Sequence, residues 1–152
     1  MKTVKLYGDP FPANSFGFGG KNILAKPKYF EWDKTPGKAR VKVFTDAHLE
    51  DATHEQSDRK IAILIEPCAI RQGIYDTVQQ MEGAFDAVLT YDKELCGKGK
   101  PYLFYPLGGS WLREWKMHEK TKGVCIIYSF KKGRPGHKLR HEVATWDGID
   151  TS

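Results

Sequence analysis

The sequence predicts an α/β protein with a Rossmann-like layered sheet, and three observations predict it. Lys60–Ile65 is continuously apolar after its lysine, which suits a strand buried on both faces, as in a parallel sheet. Strand-like and helix-like periodicities alternate over the second half of the chain. The 152 residues, 40% hydrophobic and 28% charged, suffice for a core and exclude collagen-like or wholly disordered classes.

Taken in order, Thr3–Tyr7 and Arg40–Thr45 alternate β-branched or aromatic residues with lysine or arginine, the period-two pattern of strands with one solvated face. Between them, Asp9–Gly20 is rich in Gly, Pro, Asn and Phe and is expected to form an ordered loop. Gly73–Phe85 sets Ile74, Val78, Met81 and Phe85 at helical spacing, and Asp86–Tyr91 returns to strand character. Tyr102–Tyr105 predicts another short strand, closed by Pro106 and Gly108-Gly109. Val124–Phe130 is the second strongly apolar run and predicts a second buried strand. His137–Trp146 predicts a short helix with Leu139, Val143 and Trp146 inward. The polar stretch Arg113–Gly123 reads as a linker, which divides the chain into 1–122 and 123–152.

No window approaches the roughly 18 uninterrupted apolar residues of a membrane helix. The first residues carry lysine inside their apolar stretch and soon meet Pro10, unlike a signal peptide. Cys68, Cys96 and Cys125 are an odd number without metal-ligand spacing, which points to reduced thiols and a cytoplasmic setting. The net charge of +5 is concentrated: Arg113 to His141 holds nine Lys/Arg against two acids. Such a region attracts nucleic acid, phosphorylated small molecules or only water.

Glu66 directly follows the buried run, where an α/β sheet presents its ligands. Half desolvated by apolar neighbours, a carboxylate there suits general-base work, and equally a helix cap or a paired strand-end glutamate. Lys131, Lys132, Arg134, Lys138 and Arg140 follow the second run without an acid until Glu142, as either an anion site or a solvated basic face. His137 and His141 share the i, i+4 spacing of a chelating pair, but no third ligand is suggested, so no metal site is expected. Gly17–Lys21 lacks the spacing of a dinucleotide loop and the ending of a P-loop. Tyr102, Phe104, Tyr105, Trp111 and Trp115 suit either core packing or a stacking surface for sugars or bases.

Three stretches together resemble the α1,3-fucosyltransferase-like glycosyltransferases, particularly their shorter bacterial, viral and phage-associated members. They are Ile63-Leu64-Ile65-Glu66-Pro67; Phe85–Asp92 with Phe104–Gly109; and Ile127–Lys132 with Gly136–Val143, similar to the family's donor-site signature. The resemblance spans roughly residues 40 to 148 and implies a GT-B enzyme that transfers a sugar, usually fucose, from a GDP-sugar to a glycan hydroxyl with inversion. It implies Glu66 as the base, Arg140 as the group neutralising the donor diphosphate, and Ser129, Lys131 and Lys132 as further donor-site residues. It implies no metal and no cofactor beyond the GDP-sugar donor. Residues 1–122 correspond to the acceptor-side domain and 123–152 to the first β-α unit of an incomplete nucleotide-sugar domain. The chain is therefore expected to be truncated, and whether it acts alone as an enzyme stays open. Phe130 departs from the family's usual Asn. An apolar β-α unit of that kind is expected to self-associate through residues 124–146. The rival reading is a non-enzymatic anion-, nucleic-acid- or glycan-binding module, with nucleic acid the less favoured partner.

Overall fold

A computed structural model describes residues 2–8, 29–106, 117, 119, 121, 126 and 128–146. The chain divides into two compact units, Met1–Arg113 and Glu114–Ser152.

The first unit is a six-stranded, wholly parallel sheet of β1 (Lys2–Tyr7), β2 (Phe30–Asp33), β3 (Val41–Thr45), β4 (Arg59–Ile63), β5 (Ala87–Thr90) and β6 (Tyr102–Phe104). The strands lie in the order β2-β1-β3-β4-β5-β6. An α/β layered fold is therefore present as the periodicities require. Alternate side chains of the central strands enter two separate cores. Phe44, Ala62, Leu64 and Val88 face one side, with Ile74, Tyr75 and Val78 of helix α1 (Gln72–Gln80) packed on them. Val43, Ile63 and Ile65 face the other, with Leu6, Val4 and Trp32. Each fully buried aliphatic side chain contributes about 1.5–3 kcal/mol, so β4 with its continuation is the strongest local source of stability.

Helix α1 is shorter than the apolar spacing implies. Its α-geometry ends at Gln80, and Glu82–Ala84 forms a 3₁₀ turn containing Gly83, a poor helix former. Helix α2 (Lys93–Gly97) is only five residues long and gives no periodic signal. It is set by Asp92, whose carboxylate accepts the Leu95 N–H at 3.0 Å. The strand β2 also escaped the sequence reading, although Phe30 and Trp32 alternating with Glu31 and Asp33 carry a period of two.

Lys5 of β1 and Lys42 of β3 do not face solvent. Lys5 is 7% and Lys42 2% exposed. Lys5, Lys42 and Lys60 are cross-strand neighbours in one row. A buried ammonium needs a partner. Lys5 donates to Asp33 and Thr35, Lys42 to Glu55, and Lys60 to the Ala52 carbonyl. The Lys5 hydrogen bond, with those from Thr35, holds the Asp33 carboxyl at about 2. The period-two pattern was right and its solvated face was not, because turn residues cover that face.

In the second unit, helix α3 (Pro135–Val143) starts with proline in its first turn, after Arg134 at the cap. The expected strand Val124–Phe130 is not seen where the chain is described. Ile126, Tyr128, Ser129 and Phe130 lie outside any strand, and Phe130 is 97% exposed; Val124, Cys125 and Ile127 lie outside the described residues. Leu139 and Trp146 are exposed rather than inward, and only Val143 is half-buried. The expected loop Asp9–Gly20 and most of the linker Arg113–Gly123 also fall outside the described residues. Among the described residues, no helix is long and apolar enough to cross a membrane.

Candidate functional site

The strand order reverses between β1 and β3, and ligands of such sheets bind outside the carboxyl ends of the strands. At that edge the β1 and β3 ends touch: a Cβ on Gly8 would collide with the Thr45 Oγ1, so the close approach demands glycine. Thr45 Oγ1 donates to the Tyr7 carbonyl at 3.3 Å.

The next residue, Asp46, has φ of 36°, an unusual left-handed conformation for a residue other than glycine. Its carboxylate bridges to the neighbouring strand end, accepting the Ile65 N–H at 2.9 Å and the Glu66 N–H at 3.3 Å. Burial pushes the Asp46 carboxyl up, against those two amides that pull it down. Glu66 itself stands one residue beyond the buried Leu64 and Ile65 and is half-buried. Its carbonyl accepts the Tyr75 hydroxyl at 3.0 Å, and the Ile65 carbonyl accepts the Tyr91 hydroxyl at 3.3 Å. Burial raises both phenols above their usual range, so they stay protonated donors. Pro67 follows and restricts the Glu66 backbone to extended geometry. The Pro67 carbonyl accepts from Ile70 and Arg71, which turns the chain into α1. The Glu66 main chain is thus held by the side chains of Asp46, just after β3, and Tyr75 of α1, while Tyr91, just after β5, holds the preceding Ile65.

Beside it, between the 3₁₀ turns Asp46–His48 and Glu50–Thr53 and the start of α1, lies a cleft of about 460 Å³. Asp46, Glu50, Arg71 and Gln72 supply its polar groups, and Leu49, Ile70 and Ile74 its apolar ones. Glu66 is not on its lining; Asp46 is the shared element.

Of the catalytic and donor-site residues that the resemblance implies, only Glu66 lies in the first unit. Ser129, Lys131, Lys132 and Arg140 belong to the second and are all exposed. Lys131 and Lys132 precede α3, whereas Arg140 lies in its last turn, roughly 7.5 Å along the axis from Pro135 at the usual rise per residue. A cation there complements the helix dipole by itself. His137 and His141 each keep one buried ring nitrogen without a hydrogen-bond partner, and Tyr128 meets the His141 ring edge-on at 4.8 Å. Among the described residues, no group of three His, Cys, Asp or Glu is placed to hold a metal, and Cys68 and Cys96 are free thiols. Phe104 is 67% exposed on the edge strand β6, which removes it from the core. Sequence reasoning missed Asp46, because its partners lie 19 and 20 residues away and no local pattern carries that pairing.

No protein-family model, curated protein or solved structure matches the chain.

Proposed function

We propose that the chain carries the acceptor-side domain of a GT-B-type inverting glycosyltransferase that uses a GDP-sugar in the cytoplasm, with donor-side residues in its second unit. The observation that carries the reading is the carboxylate of Glu66, half-buried at the carboxyl end of a strand buried on both faces, with its main chain held by Asp46 and Tyr75. In this mechanism the Glu66 carboxylate takes the proton of the acceptor hydroxyl. The acceptor oxygen bonds to the anomeric carbon from the face opposite the phosphate, and the carbon–phosphate oxygen bond breaks with its electron pair leaving on GDP. On this reading Arg140, Lys131 and Lys132 balance the diphosphate charge and Ser129 is a further donor-site residue, so the reaction calls for no metal.

The test is transfer of labelled fucose from GDP-fucose to β-linked galactosyl-N-acetylglucosamine, with GDP binding followed separately by calorimetry. Glu66→Gln is expected to lower turnover by about 10² or more while GDP binding stays within about twofold. A loss of only two- or threefold removes Glu66 from the base role.

A second reading is favoured by the exposure of Lys131, Lys132, Arg134, Lys138 and Arg140: an anion-binding module without chemistry. Salt-sensitive binding to arbitrary oligonucleotides with no response to GDP would select it. Exposed Phe130, Leu139 and Trp146 also support self-association through residues 124–146.

A further inference from the structure

The cleft beside Glu66 shares one side chain with it. Asp46 lines the cleft and, from the same carboxylate, accepts the N–H groups of Ile65 and Glu66. We propose that this cleft seats the non-reacting part of a hydroxyl-rich acceptor, and that Asp46 is the positioning residue that joins the seat to Glu66; the inference rests on the sugar-transfer reading.

The chemistry of the lining selects the ligand class. Two carboxylates, Asp46 and Glu50, outnumber the single cation Arg71, which disfavours phosphate and other anions. The polar groups exclude a purely apolar ligand, since burying them unpaired is costly. A sugar ring fits both demands: its hydroxyls donate to carboxylates and accept from Arg71 and Gln72, while its C–H face covers Ile70, which is 46% exposed. The volume of about 460 Å³ lies within the range of small-ligand clefts. Asp46 has oxygen lone pairs to spare after two amide hydrogen bonds, so one carboxylate serves ligand and strand end together. Tyr75 and Tyr91 hold the next two carbonyls, so the register of Glu66 relative to the cleft is set on both sides of the chain.

Gly73 makes the idea testable without disturbing the base. It lies on the cleft lining in the first turn of α1, and a Cβ built there meets nothing within 4 Å. Gly73→Phe therefore fills the cleft while keeping the helix, where glycine is a poor former. The experiment is amide NMR on the full chain, titrated with β-linked galactosyl-N-acetylglucosamine alone. Saturable shifts are expected at Gly73, Thr77, Ile65 and Glu66. Gly73→Phe should weaken binding at least about tenfold, equivalent to about 1.4 kcal/mol, with Ile65 and Glu66 amide exchange unchanged. Asp46→Ala should speed exchange of those two amides at least about tenfold, by the same conversion. Inorganic phosphate should give no shifts at the cleft. Absence of shifts up to millimolar disaccharide, or unimpaired binding by Gly73→Phe, overturns the proposal. Cleft binding without transfer from GDP-fucose would defeat the transfer reading and leave the sugar seat standing. Transfer that survives Gly73→Phe unchanged would do the reverse.

Discussion

The two apolar runs, residues 61–65 and 124–130, look alike in sequence and end differently. The first lies in the middle of a parallel sheet, with β3 and β5 in register on its two sides and side chains entering two cores. The second has Tyr128, Ser129 and Phe130 exposed and outside any strand. A strand leaves a row of N–H and C=O groups that need neighbours. Residues 87–90 and 41–45 supply them for the first run. All six strands of the described residues lie before residue 105, and none includes Ile126, Tyr128, Ser129 or Phe130. An apolar run states a preference for burial; the neighbours decide whether it becomes a strand.

The comparison breaks most visibly in stability. Leu64→Ala opens a cavity where the side chain is fully buried and should cost about 2–5 kcal/mol in urea unfolding. If the loss were below 1 kcal/mol, the two-faced burial of that segment would be wrong. Glu55→Gln leaves the Lys42 ammonium, 2% exposed, without its counter-charge and should cost about 1–3 kcal/mol. Lys42→Met, which removes the charge along with its need for a partner, should fall within about 1 kcal/mol of the parent. Equal losses for the two variants would show that the pair is not desolvated as a unit.

The acid side of that lysine row is read by pH. Asp33 is held at about 2, below its unfolded value, so its pairing stabilises the folded chain fully above about pH 4 and is lost as pH falls toward 2. The difference in urea midpoint between the parent and Asp33→Asn should follow that window and be mostly lost by its lower end. A difference that persists unchanged at pH 2 would assign it to packing instead. The smallest effect belongs to the second run: Phe130→Ala, at 97% exposure, should change stability by less than about 0.5 kcal/mol. Light scattering on the same variant sharpens the point. If residues 124–146 mediate self-association, the parent forms dimers that Phe130→Ala weakens, with salt strengthening them by screening the five cations at 131–140. A monodisperse parent at all salt concentrations removes that association.

Glu66 was legible in the sequence for a local reason. The apolar run stops there and Pro67 follows, so a carboxylate just past a strand's carboxyl end follows from adjacent residues alone. Asp46 was not legible, because its role depends on β3 and β4 being neighbours in a fixed register. The same holds for Lys5 and Lys42, whose alternation reads as a solvated face until Asp33 and Glu55 fold over it.

By itself the sequence determined the α/β class, five of the six strands, and the placement of the first helix, which follow from a continuous apolar run and from periodicities of two and 3.6 within short windows. Tertiary structure alone decided the reversal of strand order at β1 and β3, the pairing of the buried lysines, the Asp46 bridge and the fate of the second apolar run. Those outcomes depend on which distant segments meet. A window of neighbouring residues carries the tendency to be buried, and only the assembled sheet supplies the partners that satisfy backbone and charge.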